Sequence, residues 1–441
     1  MKRIIVAGCG PAGMMAALAA AKEGASVTIL EAMEKPGKKL LMTGNGRCNL
    51  TNMDPELPTR YFSAMEYEAQ GTEERRETVS FAGRVFRRFS VENTLDFFHS
   101  IGLLTAEKNG CVYPYTNQAS SVLELLLTEL KRYKVKLKFS EKITRIERDL
   151  GGWKVGTTGW TYPCDHLILC CGSRAVPVTG SDGSGYRLAA SVGHVSIPPL
   201  PALTGLICRG NFFQACSGVR CHAQVTLLVA RTAHAGEEYG EASKVPSAKW
   251  LPVGSEIGEL QWTENGISGI VVFQLSRFAA LALNHREKVK AVLDFLPELS
   301  EQELYGYLQQ ITALHSQAML GEALSGLLPK KLLEVLLGQL RIKPTSPAGD
   351  FGEVHCSNLV HAMKSFSLSV IGTRDFDQCQ VCSGGIPLSQ VDPATMISRQ
   401  IPTLSFAGEI LDMDGPCGGY NLQWAWSSGY VAGRAAAREQ E

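Results

Sequence analysis

Several absences bound what this chain can be. It has no surplus of charge, with 43 Lys and Arg set against 43 Asp and Glu in 441 residues. No field therefore draws it onto nucleic acid or an anionic membrane. No stretch supplies the ~20 predominantly apolar residues that a bilayer crossing needs. No internal repeat and no low-complexity tract is present. Thirteen cysteines are scattered, no pair of CxxC motifs suggests a structural zinc site, and no metal is expected. Lys2 and Arg3 before Ile4, Ile5 and Val6 imitate a secretory leader, and Val6-Ala7-Gly8-Cys9 imitates a lipoprotein cleavage site. That apolar core is too short, and Pro11 interrupts the run beyond it. The expectation is a soluble, cytoplasmic chain with reduced thiols, a small-molecule substrate and neither nucleic acid nor membrane as partner.

What is present starts at the first residues. The apolar run Ile4-Ile5-Val6-Ala7 leads into Gly8-Cys9-Gly10-Pro11-Ala12-Gly13, and a second apolar run, Val27 to Leu30, ends at Glu31. This is the strand, glycine turn, helix, strand pattern of a dinucleotide site. Its first glycine makes the tight turn, its second admits the pyrophosphate and its third lets helix and strand pack closely. The helix dipole faces the phosphates, and the carboxylate accepts from a ribose.

With about 150 residues per domain as a guide, the length allows two or three domains. Residues 66–78 are dense in charge and poor in core formers, hence an exposed helix or loop. Ser90 can cap a helix ending at Gly102, and Ser121 to Lys131 carries Val122, Leu125, Leu126 and Leu130 on one face. Val135 to Phe139, Ile143 to Ile146 and Trp153 to Val155 alternate as an antiparallel meander would. His166 to Gly172 reads as a return to the first sheet. The texture then divides the chain into a first nucleotide-binding part (1–190), an inserted β-rich domain (191–275) and a helical subdomain (276–350). Returning strands (351–375) and the second nucleotide-binding part (376–441) come after these. Ser300 with Glu303 is a capping box, and Pro329 fits the start of a leucine-rich helix.

The C-terminal part favours FAD over NAD as the resident dinucleotide. Thr403 to Glu409 is a second strand ending in glycine and acid, and Gly415-Pro416-Cys417-Gly418-Gly419 opens a last helix at Tyr420-Asn421-Leu422. An acid can meet ribityl hydroxyls, while helix amides face the flavin edge that becomes negative on reduction. NAD has no group that needs this second site.

Four blocks carry a resemblance: Gly8 to Gly13, Gly44-Asn45-Gly46-Arg47-Cys48-Asn49-Leu50-Thr51-Asn52, Gly384-Gly385, and Ala407 to Gly433. Together they resemble the BaiN/RdsA-like NAD(P)/FAD-dependent oxidoreductases, also labelled an aminoacetone oxidase family, over essentially the whole chain. The resemblance implies an α/β fold with a discontinuous Rossmann-like FAD-binding domain, an inserted β-barrel-like domain and a small helical subdomain. It places Gly8, Gly10, Ala12 and Gly13 at the pyrophosphate and Glu31 at the ribose. Lys38, Lys39, Asn45, Arg47, Asn49 and Leu50 lie along the flavin, Ile143 meets the adenine, and Gly408, Glu409, Asn421 and Leu422 border the ribityl chain and ring. It further implies reduction of a conjugated C=C in a 3-oxo steroid or bile-acid-like substrate, with NAD(P)H as a transient reductant, since no second GxGxxG exists. The alternatives are a flavin amine oxidase with an aminoacetone-like substrate and O2 as acceptor, and a flavin-binding protein with a non-catalytic or RNA-modification-partner role. Asn109 to Pro114 stands where an arginine and a phenylalanine are commoner, and Cys379 and Cys382 stand where alanine and threonine are expected.

Tyr420 is a candidate proton donor beside the flavin, with a stacking or packing ring as the plainer reading. Cys48 between Arg47 and Asn49 is a candidate redox thiol if the arginine favours its thiolate; the plainer reading is packing in a tight loop. Cys379-Gln380-Val381-Cys382 has disulfide spacing but lies on an extended segment rather than opening a helix, so packing is again plainer. Trp424 and Trp426 read as fillers of a helix face. His194, His355 and His361 are isolated and read as structural.

Overall fold

The computed structural model describes residues 1–69, 72–149, 151–231 and 249–438. The chain forms two compact units, Met1–Leu200 with Phe376–Glu441, and Pro201–Asp375. The sequence reading set the corresponding divisions at 190/191 and 375/376.

The first unit is built on a five-stranded parallel sheet. Its order is Leu404–Phe406, His166–Leu169, Arg3–Ala7, Ser26–Leu30, Lys136–Lys138. The first four of these strands are short apolar runs because helices cover both faces of a parallel sheet. Leu167 pairs with Leu404, so residues from near the end of the chain complete the sheet begun by its first strand. The long last helix, Tyr420–Ala437, lies on the fingerprint helix Pro11–Lys22 at backbone contact. A Cβ on Gly429 would sit 2.4 Å from the Ala12 carbonyl oxygen, and one on Gly433 2.0 Å from that of Ala16. Two glycines four residues apart thus remove the side chains that would hold the helices apart.

Lys136–Lys138 corrects the sequence reading. Its residues pair in parallel with Thr28 to Leu30 at the edge of the main sheet rather than opening the meander. The meander consists of Ile143–Asp149, Gly152–Thr157 and Thr161–Cys164. Alternation of apolar residues and lysines fits either placement, since an edge strand also keeps one wet face. The helices at Val91–Ser100 and Ala119–Arg132 match their sequence signals, and Ser90 with Asn93 forms a reciprocal cap.

The second unit is a closed six-stranded barrel. Its order is Leu206–Cys208, Gly266–Ser268, Lys249–Thr263, Arg220–Arg231, Lys288–Asp294, Phe366–Thr373. Trp262 packs among Phe213, Phe295 and Phe366 with ring centroids 5.8, 6.3 and 6.2 Å away. Helices Ile270–Asn284, Glu301–Leu314, Lys330–Gln339 and Glu353–Lys364 accompany it, and Ser300 caps the second through Glu303. Lys288–Asp294, inside the stretch expected to be helical, is a barrel strand. Its buried Val289, Ala291 and Leu293 show the period of two that the leucine-rich flanks mask. Among the described residues no helix is long and apolar enough to cross a membrane.

Candidate functional site

The fingerprint turn has the shape its glycines demand. Gly8 adopts φ +102°, and a Cβ there would meet the Cys170 carbonyl oxygen at 2.6 Å, so neither the conformation nor the space admits a side chain. A Cβ on Gly13 would lie 2.0 Å from the Gly8 oxygen, the close approach of helix to strand. Gly10 differs, because nothing stands within 4 Å of where its Cβ would be. Open space therefore faces the N-terminus of a twelve-residue helix whose first-turn amides have no intrahelical partner. Glu31 stands at the end of the next strand, one oxygen accepting from the Cys9 amide at 2.7 Å and the other from the Met33 amide at 2.8 Å. Burial raises its pKa, against which those amides and the Lys38 charge act. The Glu141 amide donates to the Glu31 carbonyl at 2.9 Å, which brings the chain leading to Ile143 beside this carboxylate.

A second group of residues converges from distant parts of the chain. Lys39 Nζ lies 2.5 Å from Glu409 Oε2, and Ser173 Oγ donates to the same oxygen at 3.1 Å. Lys39 comes from a short helix after the fingerprint, Ser173 from the end of the His166–Leu169 strand and Glu409 from the end of the Leu404–Phe406 strand. Parallel strands release their carboxyl ends on one side of the sheet, where ligands of such folds bind. Gly408 packs against Ala12 so closely that a Cβ on it would come within 2.8 Å.

The glycine-rich extension turns sharply, with Gly44, Asn45, Gly46 and Cys48 all at positive φ. Asn45 and Arg47 are exposed; the Arg47 guanidinium lies over the Tyr113 ring at 5.4 Å. Leu50 is fully buried, with its amide spent on Val112 and its carbonyl on the Trp426 indole. Asn421 turns its side chain back onto the preceding loop, accepting from the Gly415 amide and donating to the Gly415 carbonyl, both at 2.9 Å. What it and Leu422 offer a ligand are therefore backbone amides in the first turn of an eighteen-residue helix that has no side-chain cap.

These residues fit a dinucleotide on an observation of their own. Asn49 Oδ1 and Ser383 Oγ are buried with no hydrogen-bond partner, one beside the start of the last helix and the other beside the Gly384-Gly385 pair. Buried polar atoms are rarely left so, and a polar ligand would satisfy them.

Two candidates for chemistry have different surroundings from those the sequence suggests. Cys48 is fully buried, and burial pushes its thiol up to about 12. The Arg47 charge lies over Tyr113 instead, and the burial accords with the plainer packing reading of Cys48. Tyr420 is nearly buried and donates to Asp54 Oδ2 at 2.9 Å, an oxygen that also accepts from Arg60 Nε at 2.7 Å. Burial and that bond hold its phenol well above the usual range. Trp424 and Trp426 are buried fillers, and His194 bonds Ser398 in the core at 2.8 Å.

Sequence reasoning missed three contributors. Ser173 comes directly after the glycine that ends a parallel strand, a signal present but not used. Asp54 gives no local signal. Asp412 is fully buried and accepts from Ser63 Oγ at 2.5 Å, the Ala64 amide at 2.9 Å and the Gly384 amide at 3.0 Å. It anchors the Gly384-Gly385 segment, and its run of donors identifies it only after folding.

The family described as HI0933-like protein Rossmann domain matches residues 2–435. A 3-dehydro-bile acid delta(4,6)-reductase of Clostridium scindens is 40% identical over 439 residues, covering 99% of each chain. A ribosomal RNA dihydrouridine synthase of Haemophilus influenzae is 28% identical over 444 residues, 99% of this chain and 98% of that one. Among solved structures, 3-ketosteroid-delta4-(5alpha)-dehydrogenase from Rhodococcus jostii RHA1 is 15% identical, with TM-score 0.48 over 99% of this chain and 97% of that one.

Proposed function

The chain belongs to the HI0933-like Rossmann family, and on that premise we propose that it is an FAD-dependent oxidoreductase that reduces a C=C bond conjugated to a carbonyl. The substrate class we favour is a 3-oxo steroid or bile-acid-like compound, with NAD(P)H as the source of electrons. One observation carries this reading: the 40% identity to the bile acid reductase extends over 99% of both chains. Both units therefore have counterparts in it, where a likeness confined to the fingerprint would speak for the cofactor alone. Thirteen free cysteines accord with a reducing compartment, the cytoplasm.

When bound, FAD supplies hydride chemistry at its ring. The remaining tasks fall to the protein. Amides at the start of Pro11–Lys22 hold the pyrophosphate, Glu31 takes the ribose, and Lys39, Ser173 and Glu409 take the ribityl chain. Amides of the last helix stabilise negative charge on the ring edge. Burial and the bond to Asp54 favour the protonated form of Tyr420, and we assign it the delivery of a proton to the α carbon.

Anaerobic titration of the purified yellow protein tests this. NADPH or NADH should bleach the flavin and a 3-oxo-4-ene steroid should restore its colour. Colourless protein that takes up no FAD overturns the reading, and peroxide formed in air from an amine such as aminoacetone replaces it with an oxidase. The ribosomal RNA relative supports a second substrate, because dihydrouridine also arises by saturating a C=C conjugated to a carbonyl. The balanced charge of the chain weighs against RNA. Reduction of uridine in ribosomal RNA, with steroids inert, would decide for it.

A further inference from the structure

As packing residues, Cys379 and Cys382 leave their surroundings unexplained. They are 1% and 5% exposed and form one buried cluster with Ala175, against which Phe376 packs. Cys379 Sγ donates to the Phe376 carbonyl at 3.5 Å, and Ala175, packed against both thiols, donates its amide to Ser173 Oγ at 3.2 Å. Ser173 Oγ in turn donates to Glu409 Oε2, the oxygen paired with Lys39 at 2.5 Å. The pair therefore sits one side chain away from the residues assigned to the ribityl chain. The segment is held there firmly. Val176, a β-branched residue at φ +54°, donates its amide to the Phe376 carbonyl at 2.8 Å, and Arg174 lies 4.3 Å over the Phe376 ring. A conformation so unfavourable for valine persists only where its surroundings over-determine it, and such sites gather at functional centres.

We propose that Cys379 and Cys382 are a redox pair of the cofactor site, cycling between dithiol and disulfide. Closing the pair breaks two S–H bonds and forms one Sγ–Sγ bond, and its two electrons and two protons pass to oxidised flavin as acceptor; opening reverses this. The inference rests on the FAD reading. Thioredoxin-like pairs use a helix N-terminus to favour one thiolate, and this extended segment uses neighbours instead. The neighbouring Cys379 holds the Cys382 thiol below its usual range against desolvation, aided by Ser173, the Arg174 backbone and the Lys39 charge, while the Cys379 thiol is pushed up.

Two measurements on the full-length loaded protein test it. Anaerobic reduction of the air-oxidised protein with dithionite should consume four electrons per flavin, and two in Cys379→Ser or Cys382→Ser. Alkylation and then mass spectrometry should find the 379–382 peptide untagged and two hydrogens lighter before reduction, and doubly tagged after it. Uptake of only two electrons by wild type, with both cysteines tagged throughout, overturns the pair while leaving the FAD reading intact. Protein that takes up no flavin fails the FAD reading instead, and the peptide mass then decides on the pair by itself.

Discussion

The nucleotide-binding unit and the barrel unit differ in the charged groups they bury. In the barrel, bulk fills the centre: Trp262 is fully buried among phenylalanines, and Arg277 is the one buried ionised-type side chain among its described residues. The nucleotide-binding unit brings backbones together at missing side chains, at Gly13, Gly429 and Gly433, as the barrel does at Gly266. Its interior also holds Glu31, Glu66, Glu129, Asp412 and Asp414. Burying carboxylates costs free energy unless each finds donors. On the proposed reading the site's machinery lies in the discontinuous unit, and substitutions in either unit put that division at risk.

The largest effect is expected for Gly433→Val. Its Cβ would stand 2.0 Å from a backbone oxygen that cannot yield without parting the two helices. The expected outcome is failure to fold or a loss of about 5 kcal/mol, together with loss of flavin, read by thermal unfolding and absorbance. Trp262→Ala should cost about 4 kcal/mol by leaving a cavity in the barrel. Whatever remains folded should keep its full complement of FAD; a colourless but folded Trp262→Ala would undo the contrast between the units.

His166 makes the nucleotide-binding unit sensitive to acid. Buried in the sheet and bonded to Ser405 Oγ at 2.8 Å, it has its pKa lowered from 6.5 to about 3 by desolvation. A folded-state pKa below the unfolded value means that this contribution is complete above pH 6.5 and is lost as pH falls from there toward 3. Wild type should lose on the order of 3 kcal/mol more than His166→Gln across that window, measured by denaturant unfolding. Glu409→Gln should weaken FAD retention by about tenfold, or ~1.4 kcal/mol, by removing the charge that Lys39 pairs with, while chain stability changes less. The smallest change is expected at Cys48, where alanine should cost about 1 kcal/mol and leave flavin reduction by NADPH unaltered. A large loss of reduction there would return the thiol to the chemistry.

Tyr420→Phe bears on the same division from the side of rate. Loss of about a hundredfold in enone reduction, with flavin reduction by NADPH unchanged, is the outcome for a proton donor. An unchanged rate would leave Tyr420 as the packing ring that its contact with Tyr61 also allows.

The readable parts of this protein were the local ones. Gly8, Gly10 and Gly13 between two apolar runs, the caps at Ser90 and Ser300, and the short strands at Ile4 and Leu167 arise from φ preferences, hydrogen-bond capacity and periodicity within a few residues. Where two placements share one local pattern, as for Lys136–Lys138, reading along the chain had nothing to choose by, and at Lys288–Asp294 the period of two was masked by its flanks. Partnership at a distance was decided only by tertiary structure. Lys39 meets Glu409 across 370 positions, and Tyr420 meets Asp54 across 366. The height of the Cys48 thiol, the grip on Asp412 and the setting of Cys379 and Cys382 beside Ser173 belong to the same class. Charge, desolvation and hydrogen bonding act through space, so the proton affinity and the reach of each group were set by neighbours that its own stretch of sequence does not contain.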